Sequence, residues 1–202
     1  AGMRAGVIDP DEPLDNCQGT VRIGNRTFVC NNARGRHGEI LLPGAIAQSC
    51  DIYYFAAGRL MTHERLAAEG RRFHLHERTG IELPNETRRM IMPDSEYKER
   101  VFGEKWFPGD TANMSIGQGF VLATPLQMCS VAATIANAGK SYHPHLLKRI
   151  TWGEQLVQEP VGLQQAGRRL VLQPGTPLAD PAAQQRCQGQ RQDDLQQLRQ
   201  HA

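Results

Sequence analysis

The sequence predicts a mostly helical domain that carries a β-hairpin ribbon at its front, and two patterns support this prediction. The first forty residues are punctuated by glycine and proline, and within them TVRIGNRTFVC alternates apolar and polar residues around a Gly-Asn step. Alternation around a turn-forming pair is typical of a β-hairpin. From Leu41 onwards, apolar residues recur at helical spacing instead.

Three helices are predicted in succession after Leu41. The first ends near Ser49, the second begins with Asp51 as its N-cap and closes at Gly58, and the third follows Thr62. The next stretch, TGIELPNETRRMIMP, contains glycine and two prolines that oppose regular structure. It is therefore expected to be extended and rich in turns.

The clearest predicted helix lies in the stretch TPLQMCSVAATIANAGK. Thr124 suits the N-cap, Pro125 suits the first helical position, and Gly139 suits the end. The apolar stripe of this helix consists of Leu126, Cys129, Ala133 and Ala136. The domain is predicted to cover residues 1–152, with a ribbon at 1–40 and a helical part at 41–152. Residues 153–202 are rich in glutamine and are expected to form a flexible tail.

Composition excludes several classes of function. The 202 residues can form one domain with a hydrophobic core, and a hydrophobic fraction of 40% is ordinary for a soluble protein. The net charge is +2 and the basic residues are spread along the chain, so nucleic acid is not an implied partner. No run of about 18 apolar residues occurs, and the N-terminus AGMRAGVIDP lacks the layout of a signal peptide.

Three cysteines and one histidine of the first fifty residues form a candidate metal site. Cys17, Cys30, His37 and Cys50 are separated by 12, 6 and 12 residues. Three thiolates and one imidazole make a complete tetrahedral set for a structural Zn²⁺, which would stabilise a ribbon that has little core. The alternatives are a disulfide between Cys17 and Cys30 across the hairpin, or free cysteines.

The stretch AIAQSCDIYYF places Ser49, Cys50 and Asp51 side by side where two predicted helices meet. A serine hydroxyl is a weak nucleophile unless a base activates it, and the chain has no G-x-S-x-G elbow. Spacing alone therefore favours Ser49 as a hydroxyl at a helix joint rather than as a catalyst.

A wider set of strings carries a family resemblance. In chain order these are VIDP, RIGNRTFVC, HGEI, AIAQSCDIYYFAAGRL, TGIELPNE, WFPGDTANMSIGQGFVLATPLQM and ATIANAGK. Up to about residue 150 the chain resembles the transpeptidase domain of class B penicillin-binding proteins, particularly the penicillin-binding protein 2 branch. The resemblance implies an α/β fold of the penicillin-binding protein and serine β-lactamase type, in which helices flank an antiparallel sheet.

The resemblance also implies roles for individual residues. In this family the serine of an S-x-x-K motif is acylated by the D-Ala-D-Ala end of a peptidoglycan stem peptide, and an S-x-N or S-x-D motif relays protons. By resemblance, Ser49 is the relay hydroxyl and Asp51 meets the substrate or the lysine. The same branch is similar in carrying a metal-binding set before this motif, which favours zinc as a structural cofactor at the four residues named above.

Two of the family's three catalytic motifs have no match in the expected places. The sequence contains no K-T-G, and Arg78-Thr79-Gly80 comes too early to replace it. The only S-x-x-K, Ser95 to Lys98, follows Ser49 and is interpreted as a coincidence on a solvated loop. The chain is thus expected to be a central fragment, from a truncated or frameshifted reading frame. We expect it to be inactive alone and marginally stable, with exposed apolar helix faces.

Three functions remain open at this point. The first is a fragment of a peptidoglycan D,D-transpeptidase whose complete form binds stem peptides, β-lactams and cell-wall elongation partners at the periplasmic face of the cytoplasmic membrane. The second is a non-catalytic, zinc-stabilised helical module for protein contacts. The third is a penicillin-recognising sensor or a β-lactamase.

Overall fold

The computed structural model describes residues 1–31, 36–147 and 149–158 together with the strand Arg168–Arg169. These residues divide into two units. Among the described residues, the first unit comprises 1–67 and 93–120, and the second comprises 68–92, 121–147, 149–158 and 168–169. The structure is described below unit by unit.

Four short strands form the ribbon of the first unit. They are β1 (Asn16–Cys17), β2 (Thr20–Ile23), β3 (Arg26–Val29) and β4 (Gly38–Glu39). Strands β2 and β3 pair antiparallel around Gly24 and Asn25, which confirms the predicted hairpin. Strand β1 pairs antiparallel with β4, so that Cys17 lies opposite Gly38. The ribbon therefore brings the cysteine of one strand next to the segment that carries His37.

Five helices belong wholly or partly to the first unit. They are α1 (Leu42–Ala47), α2 (Asp51–Met61), α3 (His63–Arg72), which continues into the second unit, α4 (Ser95–Phe102) and α5 (Pro108–Ser115). Helix α2 is apolar on most of its surface and is the most buried of them. It packs along α5, and its Phe55 ring meets the Phe28 ring of β3 edge-on at 5.3 Å. The core of this unit is thus a helix enclosed by the ribbon and by α5.

The predicted end and N-cap of α2 are both wrong. The helix continues through Gly58 to Met61, and at Gly58 it is packed closely against α5. A Cβ at this position would lie 2.6 Å from the Cβ of Ser115, so the glycine allows close helix packing rather than a chain reversal. The N-cap residue is Cys50, and Asp51 is the first helical residue.

The prediction of a solvated loop at PDSEYKER is also wrong. This segment forms α4, whose N-cap Asp94 accepts a hydrogen bond from the amide of Tyr97 at 2.8 Å. Lys98 is only 2% exposed, and its Nζ lies 2.6 Å from Oδ2 of Asp110 and 4.3 Å from the centre of the Phe107 ring. The lysine is buried because a carboxylate and an aromatic face replace water around its ammonium group.

In the second unit, helix α6 (Pro125–Ala136) has the predicted start. Thr124 and Gln127 form a capping box in which each side chain accepts from the other residue's backbone amide. Gln127 is buried, and its Nε2 donates to the carbonyl oxygens of His74 and Glu77. The predicted apolar stripe is mostly exposed: Cys129, Ala133 and Ala136 are open to solvent. An exposed apolar helix face was expected, and α6 provides one.

The rest of the second unit consists of turns and short strands. Strand β5 (Lys140–Ser141) pairs with β8 (Arg168–Arg169), and β6 (Ile150–Trp152) pairs with β7 (Gln155–Gln158). The proposed boundary at residue 152 falls inside this last hairpin, and most of the predicted tail lies outside the described residues. Across the described residues, no helix combines the length and hydropathy needed to cross a membrane.

The stretch TGIELPNETRRMIMP contains no helix, as predicted, and one carboxylate orders its turn. Glu86 accepts hydrogen bonds from the amide and hydroxyl of Thr79 and from the amide of Gly80. These bonds hold Thr79 and Gly80 in an irregular segment that, like Arg78 before it, is not part of a strand. The segment therefore does not adopt the strand conformation expected of a K-T-G motif.

Replacing Gly58 by alanine is expected to destabilise the chain by about 1–3 kcal/mol, because the overpacking against Ser115 outweighs the better helix propensity of alanine. The measurement is urea unfolding followed by circular dichroism. Ser115→Gly should recover part of the loss in the double variant, whereas Ser115→Ala, which keeps the Cβ, should not. If Ser115→Gly and Ser115→Ala changed the cost of Gly58→Ala by the same amount, the proposed contact between residue 58 and the Cβ of Ser115 would be contradicted.

Candidate functional site

Four side chains from separate segments meet beside the N-terminus of α2. Cys17 ends β1, Cys30 follows β3, His37 precedes β4, and Cys50 is the N-cap of α2. The β1–β4 pairing and the β2–β3 hairpin bring the first three together, and the core packing of α2 brings the fourth. The structure thus assembles the complete set of residues that the sequence predicted, here called the Cys/His cluster.

The distances within the Cys/His cluster are short. Nδ1 of His37 lies 3.5 Å from Sγ of Cys17 and 3.6 Å from Sγ of Cys30, and the sulfurs of Cys30 and Cys50 are 4.0 Å apart. The four candidate donor atoms all lie within 4.8 Å of one another. Tetrahedral ligands with bonds of 2.0–2.3 Å would be separated by roughly 3.3–3.8 Å, so a small contraction would create the coordination geometry.

The surroundings of the cluster suit a cation. The three cysteines are 1%, 2% and 0% exposed, and His37 is half-buried. Burial, together with the neighbouring Cys17 and Cys30, raises the pKa of the Cys50 thiol to about 12. Thiolates in this place therefore need a compensating positive charge. Because the donors are three sulfurs and a nitrogen, the set favours zinc-like metals over magnesium or calcium.

Ser49 and Asp51 flank the buried Cys50 on the chain. Ser49 joins α1 to α2, is exposed, and has a φ of 50°. The amide of Cys50 donates to the carbonyl oxygen of Ala45, which closes α1 and turns the chain at this point. Asp51 occupies the first turn of α2 and is half-buried. Cys50 is thus buried in the core, whereas its neighbour Ser49 is exposed to solvent.

The left-handed conformation of Ser49 is unusual for a residue other than glycine. It costs about 1–2 kcal/mol relative to the right-handed region, and such strain is typical of positions whose geometry serves function. The strain is held in place by the core packing of α2 on one side and by the end of α1 on the other. Ser49 therefore lies between two packed helices and is itself exposed.

A second serine, Ser95, has a histidine partner that the sequence did not reveal. Nε2 of His63 lies 2.5 Å from Oγ of Ser95 and 2.9 Å from Oε1 of Glu64. The neighbouring carboxylate can only accept, so it favours the tautomer in which Nε2 of His63 carries the proton. His63 cannot then take a proton from Ser95. The pair therefore links the starts of α3 and α4 and is not a nucleophile with its base.

The S-x-x-K spacing at Ser95 is likewise not a catalytic arrangement. The ammonium group of Lys98 is engaged by Asp110 at 2.6 Å and by Glu104 at 3.4 Å. It serves the packing between α4 and the start of α5, where Asp110 also accepts from the amide of Phe107. The location of this motif on a helix was not predicted from the sequence.

Comparison with known proteins identifies the family. The family described as penicillin binding protein transpeptidase domain matches residues 1–169. The chain belongs to the penicillin-binding protein transpeptidase family. The matched range includes the whole Cys/His cluster and the Ser49 to Asp51 step, so both lie within the family domain.

Named relatives place the chain in the penicillin-binding protein 2 branch. The peptidoglycan D,D-transpeptidase MrdA of Salmonella typhimurium is 34% identical over 157 residues, which cover 78% of this chain and 25% of that protein. MrdA of Haemophilus influenzae is 38% identical over 124 residues, covering 61% of this chain and 18% of that protein. The chain therefore spans about a quarter or less of the length of these relatives.

Solved structures agree with this placement and with the predicted fold class. Penicillin-binding protein 2 of Pseudomonas aeruginosa, solved in complex with WCK 5153, matches with a TM-score of 0.68 and 28% identity, covering 92% of this chain and 39% of that one. The Helicobacter pylori protein in complex with MreC matches with a TM-score of 0.63 and 27% identity, covering 91% and 30%. The penicillin-binding protein chain described here is thus part of the α/β transpeptidase fold.

Ser49→Gly is expected to be more stable than Ser49→Ala by about 1 kcal/mol, because only glycine adopts a φ of 50° without strain. Both variants lack the hydroxyl, so the comparison isolates the backbone. The measurement is the free energy of unfolding in urea.

Ala68 of α3 provides the matched control, since it is exposed within a regular helix. Ala68→Gly should destabilise the chain by about 1 kcal/mol, so at position 68 glycine should be less stable than alanine, the reverse of the order at position 49. The same sign at both positions would show that Ser49 is not held in the left-handed region.

Proposed function

We propose that this chain supplies the proton-relay segment of a peptidoglycan D,D-transpeptidase, with Ser49 as the relay hydroxyl and Asp51 as its polar partner. The observation that carries the proposal is the exposed, left-handed Ser49 at the start of the buried helix α2, in a region that matches the family. A fixed hydroxyl costs little reorganisation when a proton is transferred.

The chemistry of such a segment follows from its groups. A serine hydroxyl can donate and accept at once, so Ser49 can take a proton from one neighbour and pass it to the amine that leaves the substrate. Asp51 lies in the first turn of α2, where the helix dipole favours a carboxylate. It can orient the hydroxyl of Ser49, a catalytic lysine, or an amide of the stem peptide. These roles position and move protons; neither residue is proposed as the nucleophile.

The nucleophile and the K-T-G motif are proposed to come from other segments of a complete transpeptidase. The printed sequence has no S-x-x-K before Ser49 and no K-T-G, and Lys98 is occupied by carboxylates. We therefore propose that residues 1–152 are a partial domain that does not react with β-lactams alone. The complete protein would bind stem peptides and β-lactams at the periplasmic face of the cytoplasmic membrane, and would join elongation partners as its relative does with MreC.

We further propose that the Cys/His cluster binds one structural Zn²⁺ through Cys17, Cys30, His37 and Cys50. Its support is the approach of four donor atoms to within 4.8 Å and the burial of all three thiols. Four protein ligands would leave no open position, so the ion would act as a cross-link between ribbon and helix. By fixing the position of Cys50, the ion would also fix the positions of its neighbours Ser49 and Asp51.

The zinc proposal predicts about one zinc per chain after purification without chelators, measured by inductively coupled plasma mass spectrometry. Cys50→Ser should lose the metal and lower the temperature of unfolding, because a ligand is missing and a buried polar group remains. Cys129→Ser is the matched control, since Cys129 is an exposed cysteine on α6. Equal zinc content in both variants, or none in the parent chain, would refute the site.

The relay proposal is tested by a chimera in which residues 1–150 replace the matched segment of the Salmonella typhimurium relative. The chimera should be acylated by a fluorescent penicillin, and Ser49→Ala should slow acylation by at least about a hundredfold, the usual contribution of a general acid or base. The chain alone should not be labelled.

Two control variants separate the relay from folding effects. Ser49→Gly relieves the backbone strain but should remain as slow as Ser49→Ala. Ser95→Ala should be acylated like the parent chimera, because Ser95 is not the nucleophile. Unchanged labelling of Ser49→Ala, or labelling of the isolated chain at Ser95, would contradict the assignment.

A further inference from the structure

We propose that the Cys/His cluster is also a reversible oxidation site, at which Cys30 and Cys50 form a disulfide when no metal is bound. The proposal goes beyond the relay function. Only its metal-dependent part rests on the proposed zinc site. Metal and disulfide exclude each other, because the disulfide removes two of four ligands and leaves only Cys17 and His37.

The choice of pair follows from the sulfur positions. Sγ of Cys30 and Sγ of Cys50 are already in contact at 4.0 Å, and a disulfide requires about 2.05 Å, so the sulfurs must approach by about 2 Å. Both side chains are buried, at 2% and 0% exposed, and this limits the alternative partners they can reach. Cys17 is the competitor within the cluster: it also interacts with the side chain of Cys50, and its sulfur lies 3.5 Å from Nδ1 of His37, which holds it on the histidine side.

The backbone around the two cysteines also suits a cross-link. The amide of Cys30 donates to the carbonyl oxygen of Gly19 at 2.8 Å, and the amide of Cys50 donates to that of Ala45 at 3.0 Å. Each cysteine is therefore anchored by its own secondary structure while its side chain faces the other. The disulfide would join the end of β3 to the start of α2 and close a loop of about 20 residues, which would restrict the unfolded chain and so stabilise the folded one.

The oxidant is a small-molecule disulfide, and the exchange balances without any other reagent. When local opening of the ribbon exposes the cluster, one cysteine gives up its proton, and its sulfur attacks the reagent, forms a mixed disulfide and releases one reagent thiol. The second cysteine sulfur then attacks the mixed disulfide, forms the Cys30–Cys50 bond and releases the second reagent thiol. The two cysteine protons end on the two released thiols, so the chain is oxidised by two electrons and the reagent is reduced by two.

The functional consequence lies in the position of Cys50. It stands between Ser49 and Asp51, so a displacement of its side chain acts on the two residues proposed to relay protons. Ser49 is already strained, and a small backbone shift at this joint changes where its hydroxyl points. Loss of the metal followed by oxidation would therefore change the positions of Ser49 and Asp51, and a thiol reductant would restore them.

The test uses the full chain with Cys129 and Cys187 replaced by serine, so that only the three cluster thiols remain. The chain is stripped of metal, treated with hydroxyethyl disulfide, and analysed by thiol counting and by non-reducing peptide mass spectrometry. Two of the three thiols should disappear, with Cys30 linked to Cys50. Zinc-loaded chain should react at least tenfold more slowly.

Single variants make the pairing falsifiable. Cys17→Ser should still form the disulfide, whereas Cys30→Ser and Cys50→Ser should form none that resists a mild thiol wash. A majority of links through Cys17, or three intact thiols under conditions that oxidise the urea-unfolded chain, would overturn the proposal. A Cys30–Cys50 bond in a chain that binds no zinc would keep this inference and refute the metal site. Zinc binding in a chain that forms no Cys30–Cys50 bond would keep the metal site and refute this inference.

Discussion

The meeting of three sulfurs and one imidazole at the N-terminus of α2 is the constraint on which the first unit depends. The ribbon has short strands and little apolar surface of its own, so strand pairing alone gives it little stability. Cys17, Cys30 and Cys50 belong to the same buried cluster as the apolar face of α2. The ribbon is thus held by its contact with the helix, and the helix start is held by the ribbon.

The chemistry proposed for the chain follows from that arrangement. Helix α2 is fixed along its length by α5, which approaches closely enough to require Gly58, and at its start by Cys50. Ser49 directly precedes the N-cap Cys50 of this helix, is exposed to solvent and has a φ of 50°. Strain persists at such a position only when the structure around it is rigid. A transpeptidase that relays protons through one hydroxyl needs this kind of support.

The sequence predicted the features whose cause is local, and it failed where the cause is a distant neighbour. The hairpin is encoded by alternation around Gly24 and Asn25, and α6 is encoded by its capping box. Helix α4 was missed because its most buried residue is Lys98, whose charge suggests solvent until Asp110 is brought beside it. Gly58 was misread because a glycine that ends a helix and one that admits a neighbouring helix look the same in one sequence. The cysteine set was found because its residue types indicate a metal.

Backbone hydrogen exchange, measured before and after removal of metal with a chelator, tests the coupling between ribbon and helix most directly. If the Cys/His cluster holds the proposed zinc, amides of β2, β3 and the first turn of α2 are expected to lose protection together when the metal is removed, and to regain it together when zinc is restored. Loss of protection in the ribbon with no change at the start of α2, or no change in either, would contradict the claim that the Cys/His cluster fixes the position of Ser49.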